Sequence, residues 1–132
     1  MGAADFLLGV CESWMTPALF LSVAFIAGAV ISFFTGSSWG TFAICIPIAV
    51  PMAYSFTGGQ LGTLVYAAVG AVVSGGLFGD HCSPVSDTTV LSSLGAACDH
   101  IDHVRTQLPY ALLAAAVSII LWIVVALVGG AA

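Results

Sequence analysis

Charged residues are almost missing from this sequence of 132 residues. It contains one arginine, no lysine and six acidic residues, so that charged side chains make up only 5% of the chain. A soluble domain usually carries about 25% charged residues. A surface with so few charges must face lipid or another protein subunit. The sequence therefore predicts an integral membrane protein in contact with the lipid bilayer.

Other shortages exclude further classes of protein. With a formal net charge of −5 and a single basic residue, the chain has no basic patch that could bind nucleic acid. Its four cysteines form no C-x-x-C pair and no visible disulfide framework, so we expect them to pack as small apolar residues. No nucleophile elbow or comparable catalytic motif is present, and an enzyme is not expected.

Long apolar runs make up most of the chain, with 61% hydrophobic residues and a mean hydropathy of +1.17. Thr16 and Pro17 are a typical start of a helix that would continue to about residue 34, which is long enough to cross a bilayer. We expect a stub or short interfacial helix before it, at residues 1–15. Further apolar segments cover residues 42–56, 61–78 and 108–128.

Two polar breaks interrupt these runs, TGSSWGT at 35–41 and GDHCSPVSDTT at 79–89. At membrane depth, irregular backbone persists only when it is buried in protein or lines a cavity. Transporters use such breaks to bind ions through helix ends, carbonyls and side chains. The candidate ligands of the second break are Asp80, Ser83, Ser86, Asp87, Thr88 and Thr89. Those of the first break, the predicted hairpin tip, are Thr35, Ser37, Ser38 and Thr41.

The ligand types of the two breaks suit a hard cation. Na⁺ prefers carboxylate, hydroxyl and carbonyl oxygens, and Asp80 and Asp87 lie among hydroxyl groups. A carboxylate in a medium of low dielectric favours its protonated form when no cation is near. Na⁺ and a proton can then compete for one group, and this competition is sufficient for antiport. Carboxylates inside a membrane are costly, which makes both aspartates functional candidates.

Alternatives remain open from the pattern alone. Asp87 before Thr88 and Thr89 is also typical of a helix N-cap, and Asp80 would lie in a solvated loop if residues 61–79 crossed the bilayer by themselves. A second polar segment, 98–107, contains residues from which a surface zinc site could be built. These residues are Cys98, Asp99, His100, Asp102 and His103.

The segments TGSSWGT and PIAVP, and above all GDHCSPVSDTTVLSSLGAACDHIDHVRTQLPYA at 79–111, resemble the NhaC family of Na⁺/H⁺ antiporters. The combination of GD-x-x-SP-x-SDTT with a following DH-x-x-HV-x-TQ-x-PY is long and specific, and the likeness covers residues 30–128. The resemblance implies a multi-pass protein of the cell membrane that exchanges Na⁺ for H⁺, in some relatives together with an organic acid. It implies no cofactor beyond these transported ions.

The resemblance also implies a fold, namely one inverted-repeat unit of an all-α ion-transporter fold. Such a unit contains a helical hairpin of the re-entrant kind, a discontinuous helix and a final transmembrane helix, and it would place Asp80 and Asp87 in a buried Na⁺ and proton site. On this template the hairpin covers 16–56 with its tip at 35–41, and the broken helix covers 61–97 with an unwound stretch at 79–88. The polar segment 98–107 is a loop or an interfacial helix, and 108–128 is the final span.

NhaC proteins are much longer than this chain, which resembles their C-terminal portion. We therefore expect either a homo-oligomer or a complementary N-terminal transporter half as partner. The alternative function is a membrane subunit or fragment that does not transport by itself and packs on a partner chain through small residues at 61–75. An antiparallel dimer is a further possibility, because Lys and Arg give almost no orientation bias.

Overall fold

The computed structural model describes residues 15–129, and within them the chain is helical with no strand. Residues 1–14 and 130–132 lie outside this description, and so does nearly all of the stub predicted at 1–15. The helices are α1 (Pro17–Thr35), α2 (Ser38–Phe56), α3 (Thr63–Cys82), α4 (Asp87–Gly95) and α5 (His100–Gly129).

Four of the helices in this part of the chain are long and apolar enough to cross a membrane. They are α1 and α2 with 19 residues each, α3 with 20 and α5 with 30. At 1.5 Å per residue, 19 residues cover about 28 Å, close to the thickness of the hydrocarbon layer. α4, with 9 residues, is too short to span. The predicted all-α membrane fold is confirmed.

α1 and α2 form a helical hairpin with a tight tip. α1 begins as the sequence predicts, because the Thr16 hydroxyl accepts from the Leu19 amide at 3.4 Å and Pro17 takes the first helical position. It ends at Gly36, whose left-handed φ of +66° lets its amide donate to the Ser32 carbonyl. Ser37 then caps α2, so that only Gly36 and Ser37 separate the helices. The tip is therefore shorter than 35–41.

The discontinuous helix consists of α3 and α4, and the break between them covers residues 83–86. This differs from the unwound stretch expected at 79–88, since Asp80 lies in the last turn of α3. Pro84 disfavours helical backbone at the preceding residue, and Ser83 is indeed extended. Helix resumes because Ser86, and not Asp87, is the N-cap: its hydroxyl accepts from the Thr88 amide.

α5 begins inside the segment 98–107, for which a polar loop or an interfacial helix is expected, and it continues without interruption into the final span. The Asp99 carboxylate accepts hydrogen bonds from the backbone amides of Ile101, at 2.9 Å, and Asp102, at 3.2 Å. These amides lie in the first turn of the helix and have no hydrogen-bond acceptor within it. Helical backbone therefore includes the polar residues from His100 onward. The composition of this segment indicates exposure to water, but the Asp99 cap decides its conformation.

The core lies between α1 and α3, where small residues bring the two backbones together. A Cβ atom added at Gly75 would collide with the Phe25 carbonyl, and one at Gly79 with the Ala29 carbonyl. Leu21 and Val72 are fully buried at this interface. Close packing of backbones is a usual source of helix association in membranes. α5 lies more peripherally, with Ala111, Ala115 and Ala126 as its buried residues.

We predict that Gly75→Ala destabilises the protein by about 1–3 kcal/mol, because the new methyl group meets backbone that cannot move without shifting α1. Gly95→Ala is the matched control, since among residues 15–129 its added Cβ meets nothing within 4 Å beyond its chain neighbours and its own helix backbone. Unfolding by denaturant in detergent micelles, followed by helical circular dichroism, measures both. Equal stability of the two variants would contradict the close α1–α3 contact.

Candidate cation-binding site

The most unusual side chain of the structure is Asp80, a carboxylate that is only 8% exposed. Its Oδ2 atom accepts a hydrogen bond of 2.8 Å from the Ser38 hydroxyl, and its Oδ1 atom accepts one of 2.6 Å from the Ser86 hydroxyl. Both distances lie within the usual range for a hydroxyl donor and an oxygen acceptor. Three segments thus meet at one carboxylate: the last turn of α3, the first turn of α2 and the end of the break.

The hydroxyl groups continue beyond Asp80 as a connected network. Ser86 gives its proton to Asp80, so the Thr88 hydroxyl, 2.8 Å from Ser86 Oγ, donates to it. The Thr89 hydroxyl donates to the carbonyl oxygen of His81 at 3.1 Å. The carboxylate is thus in direct contact with the hydroxyl oxygens of Ser38 and Ser86, with the Thr88 hydroxyl behind Ser86. Carboxylate and hydroxyl oxygens are ligands that a hard cation prefers.

The hairpin tip and the break are in direct contact. The buried Ser83 hydroxyl donates to the Phe33 carbonyl at 2.6 Å, and a Cβ atom at Gly36 would lie 2.7 Å from the Val85 carbonyl oxygen. One turn before the tip, the Ser32 hydroxyl of α1 donates a hydrogen bond of 2.6 Å to the Gly76 carbonyl of α3. These contacts explain how Ser38, which follows the tip, reaches a carboxylate 42 residues away.

Only part of the predicted ligand set is brought together. Ser38, Asp80, Ser86 and Thr88 lie in one network. Of the other tip hydroxyls, Thr35 donates to the Ile31 carbonyl, Thr41 donates to the Ser37 carbonyl and Ser37 caps α2. Ser83 and Thr89 donate to backbone carbonyls.

Asp87, which the sequence places beside Asp80, has an exposed side chain in the first turn of α4. Among residues 15–129, no hydrogen-bond partner is found for its carboxylate. At this position its charge favours the helix N-terminus. The structure therefore separates the two aspartates that the sequence pattern treats alike.

The zinc alternative gains no geometric support in the described region. No three His, Cys, Asp or Glu side chains within residues 15–129 come together as metal ligands. Within the 98–107 segment, Cys98 Sγ lies 3.9 Å from His103 Nδ1. His100 instead contacts the Pro84 carbonyl oxygen.

A cavity of about 500 Å³ opens beside Asp80, between α3 and α5. Ser74 and Ser118 contribute hydroxyl groups to it, and Phe25 and Phe78 contribute aromatic walls. Ser74 does not stand out in the sequence, because it lies in an apolar run; in the structure it accepts a 3.2 Å hydrogen bond from the Trp122 indole nitrogen. The cavity therefore reaches Asp80 from the α5 side.

Comparison with known proteins supports the family suggested by these features. A sequence model described as the Na⁺/H⁺ antiporter family matches residues 1–127. The chain belongs to this family. The predicted family membership is thereby confirmed, and with it a multi-pass location in the cell membrane. No solved structure matches the chain.

Several curated relatives are similar along most of the chain. An uncharacterised protein of Haemophilus influenzae is 53% identical, covering 83% of this chain and 20% of its own length. The malate-2H⁺/Na⁺-lactate antiporter of Bacillus subtilis is 36% identical over 86% of this chain and 23% of its own length. The arginine/ornithine antiporter ArcD of Halobacterium salinarum is 32% identical, covering 96% of this chain and 25% of its own length. The chain thus spans a fifth to a quarter of the length of these relatives.

We predict that Gly36→Ala destabilises the protein more than Gly58→Ala, by at least about 1 kcal/mol. Both glycines have left-handed backbone, with φ of +66° and +63°, so both variants carry the same conformational cost. Only the methyl group at position 36 also collides with the break, because nothing lies within 4 Å of the one at position 58. Denaturant unfolding in micelles measures the difference, and equal losses would show that tip and break do not touch.

Proposed function

We propose that this chain is the cation-binding part of a secondary active antiporter, in which Na⁺ and H⁺ compete for the carboxylate of Asp80. The observation that carries the proposal is the pair of hydrogen bonds to Asp80 from Ser38 and Ser86, at 2.8 and 2.6 Å. They place one buried negative charge and two hydroxyl oxygens at the meeting point of a hairpin tip and a helix break. Broken helices of other secondary transporters bind their ions in such places.

The same geometry supplies two states of the site. When Na⁺ enters, the carboxylate and the hydroxyl oxygens of Ser38 and Ser86 turn from hydrogen bonding each other to binding the ion. When Na⁺ leaves, a proton neutralises the carboxylate, because a buried charge without a counter-ion is costly. Either cation leaves the site with the same net charge. Exchange of one for the other on opposite sides of the membrane is antiport.

The polar groups of the described region favour a cation as cargo. The one permanent cation of the whole sequence, Arg105, is exposed and lies 3.9 Å from Asp102. Asp80 itself lies in the last turn of α3, where the helix dipole also favours positive charge. An organic acid, such as the malate and lactate named for the Bacillus subtilis relative, would need a basic partner group from elsewhere. Na⁺ needs none.

A second candidate is a membrane subunit that binds the cation but does not transport by itself. The observation in its favour is the exposure of α5, on which large apolar residues such as Leu113, Leu121 and Leu127 are more than half exposed. An exposed apolar helix face of this kind can be covered by lipid, by a further copy of the chain or by another transporter segment. The chain also spans only a fifth to a quarter of its antiporter relatives.

We predict that Asp80→Asn abolishes Na⁺ binding, whereas Asp87→Asn changes the affinity less than about fivefold, because its exposed charge is screened by solvent. Binding of radioactive Na⁺ to the purified chain in micelles measures both. In the unmodified chain, the Na⁺ concentration for half-saturation should rise as the pH falls, since protons compete for the site. Retained binding in Asp80→Asn would refute the site.

We further predict that Ser38→Ala and Ser86→Ala each weaken Na⁺ binding about tenfold, because each removes one oxygen ligand. Ser92→Ala is the control, since the exposed Ser92 hydroxyl bonds only to the Thr88 carbonyl of its own helix. An unchanged affinity in both site variants would contradict the proposed ligand set.

Reconstitution separates the two candidate functions. With the chain in vesicles, internal pH is followed by a dye after external Na⁺ is added. Proton flux driven by Na⁺, lost in Asp80→Asn, supports autonomous antiport. Binding of Na⁺ in micelles without any such flux supports the non-transporting subunit.

A further inference from the structure

The first two turns of α5 contact the break between α3 and α4 through two side chains. His100 Nε2 lies 2.7 Å from the Pro84 carbonyl oxygen, and the Gln107 side-chain amide donates to the His81 carbonyl at 3.1 Å. Both residues belong to the motif DH-x-x-HV-x-TQ, to which the proposed cation site assigns no role. The His81 carbonyl belongs to the last turn of α3, and the Pro84 carbonyl belongs to the break itself.

The chemistry of His100 follows from its partners. A carbonyl oxygen only accepts, so Nε2 carries a proton and donates to Pro84. The other ring nitrogen, Nδ1, lies 3.3 Å from the hydroxyl of Ser93 on α4. The half-buried ring therefore connects the break, α4 and the start of α5. A break in a membrane helix leaves carbonyls that need such partners.

These contacts lie close in the chain to a site residue. Ser86 follows Pro84 by two positions and donates the 2.6 Å hydrogen bond to Asp80. On its other side the break is fixed by the tip, through the bond from Ser83 to Phe33. If His100 is removed, the Pro84 carbonyl loses its hydrogen-bond donor. The break, which carries Ser86, is then held in place only by its contact with the tip. Ligand oxygens that are displaced by a few tenths of an ångström bind a cation poorly.

We infer that His100 and Gln107 form a clamp, the α5 clamp, that positions the break and thereby sets the cation affinity of Asp80. Neither residue touches the cation. The α5 clamp acts through Ser86 and the end of α3, in the manner of groups that orient the ligands of a metal site. The inference rests on the proposed function and adds to it the residues that tune the site.

Substitutions of His100 that differ in reach test the inference. His100→Gln retains an amide N–H at about the distance of Nε2, whereas the shorter side chain of His100→Asn reaches only as far as Nδ1. We expect His100→Ala and His100→Asn to weaken Na⁺ binding about tenfold, and His100→Gln to remain within about threefold of the unmodified chain. Radioactive Na⁺ binding to the full chain in micelles is the measurement.

Gln107 provides an independent test that does not alter the histidine. Gln107→Glu has the same shape but replaces the donor by an acceptor that repels the His81 carbonyl, so it should weaken Na⁺ binding about tenfold as well. Thr106→Ala is the neighbouring control, because its exposed hydroxyl bonds only within α5, and it should bind Na⁺ as the unmodified chain does. Helical circular dichroism and unfolding temperature establish that the compared variants are folded.

The outcomes distinguish the inference from the proposed function. If Asp80→Asn binds Na⁺ normally, the proposed function fails. If Asp80→Asn abolishes binding but the folded His100 and Gln107 variants bind like the unmodified chain, the α5 clamp alone is refuted. Equal weakening in His100→Gln and His100→Asn would also overturn it, because the bond to Pro84 would then not be the cause. If His100→Ala does not fold, the inference is tested by the comparison of His100→Gln with His100→Asn and by the Gln107→Glu variant.

Discussion

The Asp80 carboxylate between two serine hydroxyls is the interaction on which the rest of the structure depends. A carboxylate that is 8% exposed in a membrane protein is costly unless its oxygens are paired. Here the partners come from two segments that are distant in sequence, Ser38 after the hairpin tip and Ser86 before α4. The fold must therefore bring the tip to the break, and any change that separates them leaves a buried charge without partners.

Glycine makes this approach possible. Gly75 and Gly79 let α3 touch the backbone of α1, and Gly36 lets the tip turn against the Val85 carbonyl. The interruption of the helix is equally local in origin, because Pro84 prevents Ser83 from remaining helical and Ser86 caps the helix that follows. The small residues and the break are thus two requirements of the same site. The small residues bring the helices close together, and the break places Ser86 beside Asp80.

The spans, the first cap and the existence of both breaks could be predicted from the sequence, because they follow from local composition and from Pro and Gly positions. The sequence does not allow a prediction of which hydroxyl groups reach Asp80. Ser37 and Ser38 are neighbours, but a rotation of about 100° around the helix directs one to the cap and the other to the carboxylate. The difference between Asp80 and Asp87 likewise depends on tertiary packing. The polar segment 98–107 looks like a solvated loop by composition, and its helical conformation depends on the Asp99 cap.

The most direct test of the account is infrared difference spectroscopy of the purified chain before and after addition of Na⁺, at a pH where Na⁺ displaces protons. The account predicts that Na⁺ removes the carbonyl band of one protonated carboxyl group and releases a proton to the medium. It predicts that this band change disappears in Asp80→Asn and persists in Asp87→Asn. A band change that persists in Asp80→Asn would contradict the claim that Na⁺ and H⁺ share the carboxylate of Asp80.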